Sequence, residues 1–390
     1  MSVYRTLGVL LGAVLPLGLV PPSPAAPEKQ DLAANAALKY WQAFGALPRR
    51  DKDQENLLQE WNTAPLGDAG RKLVDAGRDS LVYLHRGAKL RDCEWGLDFE
   101  DGPRLLAQHL DRGHTVARLA CLRARYEFEA GDRRAAVEDV LATLVLARHL
   151  SSDGLMISIL WQLAIVRPAL DLLAAHLTEM DAPLLERLAA RLDALPRGGS
   201  LAEAFRKEKE IGLGWFATRL REIPEEGAWQ DQVVRFCTRF SDHAEKDVRA
   251  ILKAAGNPAP ARMARRVEEL GAYYDELAKL VALPTDRFEA GFTALNDKTK
   301  AADPLAELFI PMKGLGGLRK RDAEMRARMA LLRAAVAVAR GGPEKRKAFR
   351  DPFGDGPFDY RALQGGFELK SKLLIQGRPI TLTAGRPKKP

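Results

Sequence analysis

Apolar positions recur with helical pitch along most of this chain. Ala33, Ala37, Tyr40, Trp41, Phe44 and Leu47 return every three or four residues, so they share one stripe of a helix that Pro48 ends. Leu57, Leu58 and Trp61 make a second stripe and Leu73, Leu81, Leu84 and Ala88 a third, with Pro65 and Gly67 punctuating the gap. From Pro103 to Leu150 two long helical patterns meet at Gly131 and Asp132, where a helix end and a turn are both expected, which predicts an antiparallel hairpin. Its first arm carries Leu105, Leu106, Leu110, Val116, Leu119 and Ala120. The second carries Ala136, Val140, Thr143, Leu144 and Ala147, leaving Arg133, Arg134, Glu138 and Asp139 for solvent.

Between Leu155 and Val166 only Ser158 and Gln162 are polar, so this helix is apolar on every face and is expected to lie centrally. Asp181 and Pro183 start another, with Leu184, Leu185, Leu188 and Leu192 on one face and Pro196 closing it. Ser200 and Glu203 then have the spacing of a capping box. Further helices are expected over 205–220, 229–255, 261–283 and 285–300, and a long basic one over 318–340. After Gly341, Gly342 and Pro343 the period changes. Segments 358–361, 367–374 and 380–383 read as short strands joined by Gly365 with Gly366 and by Gly377. The fold class is therefore mainly α, an array of antiparallel helical hairpins with a small C-terminal antiparallel β-hairpin or three-stranded sheet.

The first residues read differently. Arg5 precedes an apolar run from Leu7 to Val20 that Pro16 interrupts and Pro21, Pro22 and Pro24 end, with Ser23 and Ala25 at the small positions of an export signal. The run falls short of the roughly 20 apolar residues of a spanning helix. The expected organisation is a signal peptide over 1–25, a helical array over 26–342, and a β tail over 343–390 with a basic disordered end. The mature chain would be periplasmic or extracellular and without a transmembrane span.

Composition narrows this reading. With 46% hydrophobic and 29% charged residues in 390, the chain is ordinary globular protein. Its net charge of +8 is concentrated late, where twelve basic residues between Lys313 and Arg350 stand against three acidic ones. Arg319, Lys320, Arg321 and Arg326 head a face that would meet an anionic envelope component. No aromatic residue interleaves 319–340, so specific nucleic-acid binding by base stacking is not expected. Cys93, Cys121 and Cys237 allow at most one bridge, with Cys93 and Cys121 the nearer pair and two buried thiols the equal alternative.

Candidate chemistry is sparse. Asp98, Glu100 and Asp101 beside Trp95 are the best local cluster, able in principle to hold a hard cation or to act as an acid and base pair. The spacing is not that of an EF-hand loop, and Asp101 before Pro103 reads more simply as a helix cap. His109 and His114, five apart, lie on different helix faces and make no zinc pair. Gly314, Gly316 and Gly317 after Lys313 form neither a P-loop nor a dinucleotide fingerprint, and Gly198, Gly199 and Ser200 no nucleophile elbow. Nothing calls for a cofactor or metal. Trp41, Trp61, Trp161, Trp215 and Trp229, at helical spacing, are expected in the core.

Three resemblances accompany these patterns. Ala124, Gly131, Asp132, Ala136 and Leu144 resemble one tetratricopeptide-type unit, which implies antiparallel helical pairing. Segment 92–103, containing Cys93, Glu94, Trp95, Gly96, Leu97 and Asp98, together with Asp351, Pro352, Phe353 and Gly354, resembles a group of exported bacterial helical proteins of unassigned activity. The tail from Asp351 to Tyr360 is also similar to the C-terminal hairpin of pseudopilins. The expected role is a binding or scaffold protein, its partner a protein or an anionic envelope component. The rival expectation is an exported hydrolase or lyase working through the acidic loop around Trp95.

Overall fold

Side-chain caps at Asn35, Asp51, Asp132, Asp181 and Ser200 set five of the helix starts. In the computed structural model, which describes residues 34–105, 107–310 and 314–386, seventeen α-helices and one three-stranded sheet are present. The expected signal peptide, Leu106, Lys313 and the last four residues lie outside the described residues. Four short helices come first: α1 (Ala36–Gly45), α2 (Lys52–Gln59), α3 (Asp68–Ala76) and α4 (Arg78–Gly87). Asn35 caps α1, and Asp51 with Gln54 closes a capping box on α2.

The long hairpin follows as α5 (Gln108–Ala130) and α6 (Arg133–Leu150). Gly131 turns it at φ 85, a left-handed conformation that suits glycine, and the Asp132 carboxylate accepts the Ala135 N–H. Next are α7 (Met156–His176) and α8 (Ala182–Asp193), the latter capped by Asp181. α6 packs against α4, α5, α7 and α8, so it is the centre of this body.

An arm then leaves the body: α9 (Leu201–Glu208), α10 (Gly214–Arg221), α11 (Trp229–Arg239), α12 (Glu245–Ala254), α13 (Pro260–Glu269), α14 (Gly271–Leu280), α15 (Thr285–Ala302) and α16 (Ala306–Phe309). The capping box of Ser200 and Glu203 starts α9 as expected. Two helices predicted as continuous are each two: 229–255 breaks between Arg239 and Glu245, and 261–283 breaks at Leu270. A π-helical turn, Lys209–Leu213, links α9 to α10.

The chain returns through α17 (Leu315–Gly341), which packs on α7 and α8, and ends in β1 (Asp359–Leu363), β2 (Gly366–Ile375) and β3 (Arg378–Gly385). The sheet is antiparallel in the order β1-β2-β3. Phe367, Leu369 and Leu373 of β2 alternate with exposed residues and are buried with Ile380, Leu382 and Ala384 of β3, the strands that pack on α7 and α17. A register shift between Lys370 and Leu374 is held by Asp351, whose carboxylate accepts from the Ser371 hydroxyl at 2.9 Å and the Lys372 N–H at 2.5 Å. The familiar Asp-Pro-Phe-Gly segment thus has a structural task.

α7 departs from expectation. It is long and apolar enough to cross a membrane by composition, but only half of that stretch is buried. Ile157 is 46% exposed, Ala164 is exposed, and Leu160 and Trp161 are half-buried.

Candidate functional site

Segment 92–104 is a seam. Asn35 pairs with it through its side chain, donating to Glu94 O and accepting the Glu94 N–H. Trp95 is only 6% exposed, stacked on Tyr40 and Phe44, with His109 4.6 Å from its ring centre, and its indole N–H donates to His149 O at 2.8 Å. Asp98, Glu100 and Asp101 are exposed, and Asp98 rather than Asp101 is the cap, accepting the Glu100 N–H. The rival reading requires the carboxylates and Trp95 to share a cleft, whereas here the indole is sealed in the core and the carboxylates lie at the surface. Gly102, at φ 55, lies where a Cβ would run into the Trp215 indole, Arg104 stands over the same ring, and Lys207 covers Phe99. These contacts dock the arm on the body.

A carboxylate expected outside is inside, and other polar groups are buried with it. Asp139 is 1% exposed, bound by His85 Nε2 at 2.6 Å and by Arg123 through Nε at 2.6 Å and Nη2 at 2.5 Å. Burial is tolerated because a bidentate guanidinium and an imidazole replace water around the carboxylate. On the same helix His149 Nδ1 lies 2.8 Å from the Tyr40 hydroxyl, and its Nε2 faces Arg91 O, which can only accept, so Nε2 carries a proton; burial lowers the pKa to about 4, which leaves the ring neutral near pH 7 with Nδ1 accepting from Tyr40. The three cysteines are free, and burial pushes the Cys121 and Cys237 thiols up to about 12. Asp153 ties the turn before α7, accepting from Ser158, with His109 Nε2 3.2 Å away.

The basic helix is far less basic in space than in sequence. Arg319, counted on its exposed face, is 2% exposed: Nη2 donates to Leu283 O at 2.8 Å and the guanidinium lies over Phe288. Its place on an anionic-partner surface is corrected by that burial. Lys320 pairs with Glu289, Arg326 covers Phe353, Arg328 pairs with Asp171 and Glu324, and Arg340 with Glu186. Carboxylates from α7, α8 and α15 thus answer charges that look unanswered along the chain. Arg321 makes no ion pair among the described residues.

Where α7 and α17 run side by side, an open groove of about 270 Å³ remains, floored by Leu160, Leu163, Ala164 and Met325 and rimmed by Arg167, Arg321, Glu324 and Arg328. The Arg167 side chain is 57% exposed, 3.5 Å from Glu324. Periodicity could not find this groove, because a helix apolar all round reads as a buried one. No His, Cys, Asp and Glu group among the described residues has metal-binding geometry.

Comparison with known proteins returned no matching family model, no matching curated protein and no matching solved structure.

Proposed function

We propose that this protein is an exported helical scaffold whose α7–α17 groove takes the apolar face of a partner protein's helix. The single observation behind this reading is the bare strip Ile157, Leu160, Trp161 and Ala164 on a helix otherwise built for a core. A contiguous apolar strip with a charged rim marks an interaction surface. The same pair of helices already takes the C-terminal sheet as apolar cover elsewhere along its length. Arg167 and Arg321 on the rim favour a helix flanked by carboxylates, which would also fix its direction in the groove. Export belongs to the reading through Arg5, the apolar run from Leu7 and the small residues before Ala26.

The test is site-specific photo-cross-linking in the native host. A photoreactive residue at Ala164 should give a discrete adduct that Leu160→Glu abolishes, while the same residue at exposed Lys72 should give none. Equal adducts at both positions, or an Ala164 adduct indifferent to Leu160→Glu, would count against the groove. Fractionation of the tagged chain tests export, which cytoplasmic recovery of the intact protein would contradict.

A further inference from the structure

Arg386, directly after β3, reaches across the corner between α5 and the end of α7. Its Nη1 donates to Glu129 Oε1 of α5 at 2.9 Å and its Nη2 to His176 Nε2 at 2.5 Å. His176, the last residue of α7, is 1% exposed, and its ring lies flat on Phe128 of α5, with centroids 3.8 Å apart and planes 6° off parallel. The other ring nitrogen, Nδ1, is 3.0 Å from Glu179 Oε2 in the 3-10 turn Leu177–Glu179. Gly385 packs on the same turn: a Cβ there would stand 2.9 Å from Thr178 Oγ1.

The partners fix the tautomer. A guanidinium can only donate, so Nε2 must present a lone pair, and the single ring proton sits on Nδ1, where the Glu179 carboxylate accepts it. Two carboxylates, Glu129 and Glu179, here face Arg386 and Arg133, whose Nε is 3.8 Å from Glu179 Oε2; Arg386 Nε stands 4.0 Å from Glu179 Oε1. Arg125, one turn before Glu129, adds its positive field at Arg386. The corner therefore already holds at least as many cations as carboxylates. A second proton on His176 would add another positive charge and put an N–H on Nε2, aimed at the guanidinium N–H at a distance that leaves no room for water.

We propose that His176 is an acid-operated latch on the sheet: neutral, it holds Arg386 and the end of β3 against α5, and protonated, it expels the guanidinium and frees that end of the strand. Arg386 and Glu129 are both half-exposed, so the expelled side chain can swing into water. Glu179 keeps its bond to Nδ1 in either state, so the turn after α7 stays in place while the strand end moves. Burial and then Arg386 lower the His176 pKa against the pull of Glu179, so the latch opens below the ordinary histidine value of 6.5 and stays closed at neutral pH. The latch stands at the opposite end of α7 from Ile157 and does not depend on what occupies the α7–α17 groove.

Two measurements on the full chain test it. Nitrogen NMR of the wild-type histidine rings at neutral pH should show His176 as the Nδ1–H tautomer. Hydrogen exchange followed from neutral pH down to about pH 4.5, corrected for the intrinsic pH dependence of exchange, should show protection over 383–386 falling about tenfold or more as His176 titrates. Protection over 378–381, at the other end of β3, should hold. His176→Gln, whose amide can still accept from Arg386 and donate to Glu179, should keep 383–386 protected throughout, and Arg386→Gln should leave it weakly protected at every pH. If His176→Gln does not fold, the wild-type tautomer and the loss of pH dependence in Arg386→Gln keep the comparison. An Nε2–H tautomer at neutral pH, protection over 383–386 indifferent to the His176 titration, or the same fall in His176→Gln, which assigns it to the carboxylates, would overturn the proposal.

Discussion

α6 and α7 are neighbours of similar length, and the less apolar of the two is the better covered. α6 buries Asp139, Thr143 and His149 along with its aliphatic residues, because α4, α5, α7 and α8 surround it. α7, with two polar residues in its first third, leaves Ile157 and Ala164 in water because α5, α6, α9, α17 and the sheet, which all pack on it, leave that side of the helix uncovered. Composition sets how much a helix would gain from burial. Position in the stack decides how much it receives, and a polar residue at a central position must then find partners inside.

That contrast can be broken first at Asp139. Asp139→Ala strands Arg123 of α5 and His85 of α4 against α6 and should cost about 4 kcal/mol in urea unfolding, since removing one partner of a buried pair leaves an uncompensated charge. Leu144→Ala, in the same helix, should cost about 3 kcal/mol through the cavity it leaves.

A third probe is pH. His149 titrates near 4 when folded and near its ordinary value of 6.5 when unfolded, so the unfolded chain takes up the proton first as pH falls. The His149 contribution to stability should be full above about pH 6.5 and decline toward pH 4 by up to about 3 kcal/mol, alongside a separate one from His114, whose pKa burial also lowers to about 4. His149→Gln should remove the His149 part of that decline in acid-dependent unfolding curves and leave the His114 part. The smallest effect belongs to the bare strip: Ile157→Ser should change stability by less than about 0.5 kcal/mol while weakening partner cross-linking.

Much of this architecture is legible in the sequence. The hairpin turn at Gly131 and Asp132, the capping box at Ser200 and the three short strands follow from local chemistry, which acts within a few residues. What was not legible depends on distant residues. Asp139 reads as solvent-facing until Arg123 and His85 arrive from other helices, and the basic helix reads as a positive face until Asp171, Glu186 and Glu289 pair with it. The acidic loop shows the converse. Trp95 looks like part of a site but pins the core, and Gly102 beside it makes room for Trp215. Gly198 and Gly199 keep a backbone close to Arg148 and Ser151 rather than shaping a nucleophile turn.

The most direct measurement compares thiol labelling at two single cysteines, Ile157→Cys on the bare strip and Val140→Cys in the centre of α6. In the purified protein position 157 should react as an unfolded peptide does and position 140 not at all; in intact cells position 157 should become protected, and Leu160→Glu should remove that protection. Labelling at position 157 that is equally fast in cells and in isolation would contradict a partner on α7, and slow labelling in the isolated protein would contradict the bare strip itself.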